Sequence, residues 1–198
     1  VTRWVLATGN AGKQRELQAL LAPLGHAVVM QSTLGVVPVD ETGSTFHENA
    51  LLKARHAARH TGLPALADDS GLEVDALGGA PGVRSARFAG EQATDAQNLT
   101  LLLQQLRAVP AAGRGARFRC VVAWVSAADD PAPRFAEGCW EGRILEQARG
   151  AGGFGYDPVF LPTGSSLTVA ELDEAEKNRA SHRGQALRAL LAQWEQGR

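Results

Sequence analysis

Apolar residues along this chain switch repeatedly between short unbroken runs and helical spacing. The run from Thr2 to Thr8 reads as a strand, broken by Gly9-Asn-Ala-Gly12. Leu17, Leu20, Leu21 and Leu24 then fall at i, i+3, i+4 and i+7, which predicts a helix opening at Lys13. Ala27 to Met30 is a second short strand. Thr45-Phe-His-Glu48 fits a capping box, and the helix behind it gathers Phe46, Ala50, Ala54, Ala57 and Ala58 on one side. Pro64 to Ala67 predicts a brief buried strand, closed by a polar turn at Asp68-Asp-Ser-Gly71. A glycine-rich loop follows, from Gly78 to Gly90. Thr94-Asp-Ala-Gln97 opens another helix, with Leu99, Leu102, Leu103 and Leu106 inward. Phe118 to Val125 and Phe135 to Leu145 predict a hairpin joined across Asp129-Asp-Pro-Ala-Pro133. The acidic segment Glu171 to Lys177 is helical. Ser181-His-Arg-Gly184 interrupts it before a last helix striped by Ala186, Leu187, Leu190, Leu191 and Trp194.

Composition narrows the class. At 198 residues the chain is expected to be a single domain, 1–198, of two closely packed lobes. With 44% hydrophobic and 21% charged residues it is globular rather than disordered. A formal net charge of −1 provides no basic field for long nucleic acid, but leaves room for a small anion held by local cations. Cys120 and Cys139 show no metal-binding or Cys-x-x-Cys spacing and read as core thiols of a reducing compartment. No apolar run approaches 18 residues and no signal peptide or lipidation motif is visible, so a soluble, cytoplasmic protein without membrane contact is expected.

Four stretches carry candidate chemistry. Strand, polar glycine turn and helix is the arrangement in which helix N-terminal amides receive an anion, and Thr8, Asn10 and Lys13 add a hydroxyl, an amide and a cation. The spacing Gly-x-x-Gly-Lys is two residues short of a P-loop, and no Ser or Thr follows the lysine. Asp68 and Asp69 cannot do the same job if the strand persists through them, because adjacent strand residues point to opposite sides. One carboxylate there is suited to a hard divalent cation; the alternative is a plain Asx-type turn. Glu41, outside the capping box, is a second candidate carboxylate. Phe154 and Tyr156, set among glycines, form a platform for a planar base unless they only pack the loop down. His182 and Arg183 stand at the start of the last helix, where positive charge opposes the dipole and so hints at a ligand.

Taken together these segments resemble the inosine triphosphate pyrophosphatase family, and its bacterial branch in particular. The matching stretches are Thr8-Gly-Asn-Ala-Gly-Lys13, Glu41-Thr-Gly with Phe46 and Glu48-Asn-Ala50, and Ala67-Asp-Asp-Ser-Gly71. They continue with Leu77-Gly-Gly-Ala-Pro-Gly82, Gly153-Phe-Gly-Tyr-Asp-Pro158, Glu176-Lys177 and Ser181-His-Arg-Gly184. No position that the family uses for chemistry departs from its pattern.

The resemblance implies an α/β fold in which a long mixed sheet forms two lobes, helices surround it, and an active-site groove lies between the lobes. It implies a homodimer, dependence on Mg²⁺, and hydrolysis of deaminated purine nucleoside triphosphates (ITP, dITP, XTP) to the monophosphate and pyrophosphate. Matched residue by residue, Thr8, Gly9, Asn10, Ala11, Gly12 and Lys13 hold phosphates; on charge alone, Lys53 is a candidate to stabilise them with Lys13. Asp69 is the general base and a metal ligand, Glu41 a metal ligand with Asp40 as its rival, and Ser70 a substrate contact. Phe154, Gly155, Tyr156, Asp157, Lys177, His182 and Arg183 surround base and sugar. Donors at His182 and Arg183 are expected to meet O6 of hypoxanthine or xanthine and to be left unpaired by adenine.

Overall fold

The computed structural model describes residues 3–22 and 27–195. Thr2 and Leu24, included in the first strand and helix patterns, lie outside them. Strands β1 (Arg3–Leu6), β2 (Ala27–Met30), β3 (Ala65–Val74), β4 (Gly115–Val125), β5 (Arg134–Ile144) and β6 (Phe160–Pro162) form one sheet in the order β2-β1-β3-β4-β5-β6. It is mixed: β1 runs parallel to β2 and β3, whereas β5 and β6 are antiparallel. The helices are α1 (Ala11–Leu21), α2 (Phe46–Thr61), α3 (Asp95–Gln105), α4 (Glu174–Ala180) and α5 (His182–Glu195).

Local chemistry sets the helix starts. The Asn10 side chain accepts a hydrogen bond from the Lys13 amide, so α1 begins at Ala11, two residues before the lysine that the pattern marks. Thr45 with Glu48, and Thr94 with Gln97, make complete capping boxes at α2 and α3. Ser181 separates α4 from α5 in an extended conformation.

The expected polar turn at Asp68 to Gly71 does not form. Strand β3 runs straight through these residues to Val74. It pairs with β1 at Ala65 and Leu66 and has β4 as its other neighbour in the sheet, which gives its buried backbone ladder partners. Gly71 keeps it unobstructed, since a Cβ there would stand 2.2 Å from the Gly82 carbonyl oxygen and 2.6 Å from Ser85 Oγ. The Leu72 amide donates to that same Ser85 hydroxyl.

The chain divides into two compact units. The first comprises the described residues within Val1–Asp69, Cys120–Gly138 and His182–Arg198. Its core joins Trp4 and Leu6 of β1, Leu17 and Leu21 of α1, Leu66 of β3, Val122 of β4, and Ala186, Leu187 and Leu190 of α5. Gly138 of β5 lies so close to α5 that a Cβ would stand 1.9 Å from the His182 carbonyl oxygen. The second comprises Ser70–Arg119 and Cys139–Ser181. There Leu72, Val74, Leu102, Leu106, Phe118, Ile144, Tyr156 and Phe160 pack together. Buried Arg114 donates to the carbonyls of Leu106, Val109 and Leu145, which ties the end of α3 to the strand edge.

Candidate active site

Because β3 persists, Asp68 and Asp69 point to opposite sides, and each meets different partners. Asp69 Oδ1 accepts from Lys53 Nζ at 2.9 Å, and its Oδ2 from Asn49 Nδ2 at 3.3 Å. Lys53 and Asn49 lie one helical turn apart on α2, so one helix face provides both. The same Lys53 ammonium reaches Glu41 Oε1 at 2.6 Å. Glu41, which has no role in the capping box, thus stands with Asp69 on one cation, while Asp40 is exposed. Asn49 Oδ1 in turn accepts from the Gly43 amide, which fastens the turn after Glu41 to the helix.

Asp68, fully buried, takes Lys13 Nζ at 3.2 Å and Arg183 Nε at 3.2 Å on the same oxygen. Arg183 Nη1 also donates to Glu16 Oε2 on α1. These four side chains, all buried but the half-buried Lys13, form a relay of alternating charge.

The two aspartates are tuned apart. Burial opposes the charge of Asp68, but Lys13, Arg183 and Lys53 outweigh it and hold its carboxyl well below the usual range. Burial dominates at Asp69 and raises its pKa, with the pull of Lys53 and Lys13 only partly offsetting it. At Lys53 burial is outweighed by Asp69, Asp68 and Glu41, so the ammonium is stabilised. Neighbouring carboxyls in unlike environments are what divided roles require.

Around the first turn, Thr8 Oγ1 accepts from the Asn10 amide, and Gly9 passes close to Pro38. Ala11 and Gly12 open α1, so their amides belong to its N-terminus. Ser70 follows Asp69 on β3 and is half-buried. His182 is the first residue of α5 and is buried.

In the second unit, Gly153 and Gly155 take left-handed φ values of 73° and 60° on either side of Phe154. The Phe154 amide donates to Asp157 Oδ2, which also receives Lys177 Nζ at 2.7 Å. That ammonium lies 4.7 Å from the centroid of the Phe154 ring. The Gly155 amide donates to Asp95 Oδ2 at the start of α3. The Tyr156 hydroxyl is buried against the Ser85 carbonyl, so this ring anchors the loop while Phe154 is left half-buried.

Sequence reasoning assigns no site role to Glu16, Asn49 or Asp95, although Asn49 falls in the matching stretch Glu48-Asn-Ala50 and Asp95 in the capping box of α3; for Glu16 the signal is a charge directly before Leu17 on the apolar side of α1.

Among the described residues no group of three or more His, Cys, Asp or Glu side chains is spaced for a metal ion. Glu41 and Asp69 nevertheless fit one. Both present carboxylate oxygens to a single cationic point, and hard divalent ions take such oxygens while completing their shell with water and phosphate.

A mixed-sheet α/β fold with paired carboxylates, lysines and a glycine turn at a helix N-terminus is suited to phosphoanhydride chemistry. A model of the Ham1 family matches residues 4–193. The chain is 60% identical over 188 residues to a dITP/XTP pyrophosphatase of Methylococcus capsulatus, covering 95% of this chain and 94% of that one. It is 57% identical over 187 residues to a dITP/XTP pyrophosphatase of Escherichia coli O157:H7, covering 94% and 95%. A solved HAM1 protein from Coxiella burnetii superposes with a TM-score of 0.90 at 49% identity, covering 99% of this chain and all of that one. The chain belongs to the Ham1 family.

Proposed function

We infer that this protein is a house-cleaning nucleoside triphosphate pyrophosphohydrolase of nucleotide metabolism, cleaving ITP, dITP and XTP to the monophosphate and pyrophosphate. The observation that carries the reading is Asp69: a buried carboxylate with a raised pKa, held by Lys53 and Asn49 beside Glu41. In the reaction a water oxygen attacks the α-phosphorus and the α–β bridging P–O bond breaks. Pyrophosphate leaves with the electron pair, and Asp69 takes the proton from the attacking water. Lys13 and Lys53 meet the negative charge of the phosphates, and the amides of Gly9, Ala11 and Gly12 receive their oxygens.

Glu41 and Asp69 would hold Mg²⁺, whose chemistry when bound is to neutralise phosphate oxygens and acidify water. Phe154 stacks on the base, Asp157 and Lys177 set its edge, and His182 and Arg183 serve as donors toward O6. Adenine presents a donor there instead and is rejected. Ser70 contacts the substrate. The family resemblance also supports a homodimer in the cytoplasm; no helix among the described residues is long and apolar enough to cross a membrane.

The test is steady-state hydrolysis of ITP, dITP, XTP, GTP and ATP with Mg²⁺, with products identified. Pyrophosphate released from the first three in preference to the last two is expected. Release of orthophosphate, or no preference, overturns the reading.

A further inference from the structure

Arg183 is 1% exposed, which is extreme for an arginine, and two of its nitrogens are committed to carboxylates of different elements. Nε faces Asp68 on β3 and Nη1 faces Glu16 on α1. Asp68 passes the constraint on, because the oxygen that takes Arg183 also takes Lys13 Nζ. Lys13 and Glu16 are three residues apart on α1 and therefore share a face. Lys13, Asp68, Arg183 and Glu16 so form a chain of charges that begins and ends on one helix, with β3 and α5 between. Glu16 itself is nearly buried and lies a full turn beyond the amides that receive phosphate.

We propose that Glu16 is a positioning residue for phosphate binding: by fixing Arg183 it fixes Asp68, and through Asp68 it aims the Lys13 ammonium at the triphosphate. The assignment rests on the phosphate role of Lys13 given above. It gives Arg183 work that needs no contact with the purine. A flexible lysine with three rotatable donors loses precision when its counter-charge is free to move. Asp68 points to the side of β3 opposite Asp69, so loosening it reaches Lys13, and with it ground-state phosphate binding, first.

Two measurements separate this from a merely structural ion pair. In the first, Glu16→Gln is combined with Lys13→Ala in a double-mutant cycle read as KM and kcat for ITP. Glu16→Gln alone is expected to raise KM about tenfold with kcat changed less than about threefold, by the logic of an interaction that acts on binding. In the Lys13→Ala background the same substitution is expected to change KM by less than about twofold, because the group it aims is gone. An equal factor in both backgrounds, or an unchanged KM in the single variant, overturns the proposal. If Glu16→Gln does not fold, Glu16→Asp, which keeps the charge but withdraws it by one methylene, replaces it in the cycle. A KM effect that vanishes without Lys13 then supports the proposal, and one that persists overturns it.

The second measurement is calorimetric binding of inorganic pyrophosphate, which needs no turnover. Weakened pyrophosphate binding in Glu16→Gln, absent when Lys13 is already alanine, supports the proposal even if the chain hydrolysed none of the purine triphosphates. Undiminished pyrophosphate binding overturns it even if hydrolysis by the unaltered protein is as inferred.

Discussion

The Lys53 ammonium stands 2.9 Å from Asp69 Oδ1, and the two groups are shifted for opposite reasons. Carboxylate charge outweighs burial at the lysine, whereas burial outweighs lysine charge at the aspartate. An acid that is hard to ionise next to a fixed cation is suited to accepting a proton where phosphate charge is being neutralised.

Asp69→Asn removes that acceptor and keeps its shape. Asn49 can still donate to the amide oxygen, and Lys53 keeps Glu41. Turnover of ITP is expected to fall by roughly 10²–10⁴-fold, the usual contribution of a positioned base, with the melting temperature little changed. Hydrolysis near the unaltered rate by a folded Asp69→Asn protein would shift the base assignment away from this residue.

Lys177→Met tests the base end of the site. It deletes the cation over Phe154 and the partner of Asp157. A charged hydrogen-bonding group lost from the edge of a bound base is worth about 1.5–3 kcal/mol, so inosine monophosphate should bind roughly tenfold to a hundredfold more weakly. Pyrophosphate binding should be unaffected, since Lys13 and the first turn are untouched. Equal weakening of both ligands, measured by calorimetry, would remove Lys177 from the base end.

Local signals in the sequence were strong where the structure is local. The capping boxes at Thr45 and Thr94 and the Asn10 turn are completed by residues within three positions, and each start of α2 and α3 follows from them. The failure at Asp68-Asp-Ser-Gly71 has the opposite cause. Those residue types favour turns, but their place in a strand that pairs within the sheet and the close approach of Gly82 to Gly71 keep them extended. Glu41 was legible as a carboxylate without a structural task, and Lys53 shows where it goes. Glu16 and Arg183 are 167 positions apart, and nothing in the spacing of charges along a chain reveals such a pair.

Gly138→Ala probes the seat of His182. The added Cβ would meet the His182 carbonyl at 1.9 Å and the Ala186 amide at 2.8 Å, both backbone atoms that cannot rotate away. Overpacking of this kind costs about 1–3 kcal/mol, which corresponds to a drop of several degrees in melting temperature for a chain of this size. An unchanged melt would mean that α5 shifts freely at its start.

The two thiols should separate cleanly. Burial pushes Cys120 up to about 12, whereas Cys139 is half-exposed beside Glu141, its pKa raised by burial and then by that glutamate. A thiol reagent at about pH 8 is expected to modify one group in the native protein and two after denaturation, because the thiolate is the reacting form. Cys139→Ser should abolish the native reaction. Native modification that survives this substitution would show Cys120 to be accessible.

Asp130 organises the connection between β4 and β5, and its contribution should depend on pH in a defined sense. Its carboxylate accepts from the Ser126 amide at 2.7 Å, the Ser126 hydroxyl at 2.8 Å and the Ala132 amide at 2.9 Å. The Ser126 amide is the largest cause of a pKa below the ordinary 3.8, followed by the Ala132 amide and the Ser126 hydroxyl. Hydrogen bonds to a charged acceptor are worth about 1.5–3 kcal/mol, so Asp130→Ala should lose stability of that order at neutral pH. A depressed folded-state pKa means that the stabilisation is complete above the unfolded value and is lost as pH falls through the folded one. The gap between the unaltered protein and Asp130→Ala in urea melts should therefore be flat from about pH 5 to 8 and close below about pH 4. A gap that stays constant into that acid range would mean that the loop is held by the shape of the side chain and not by its charge.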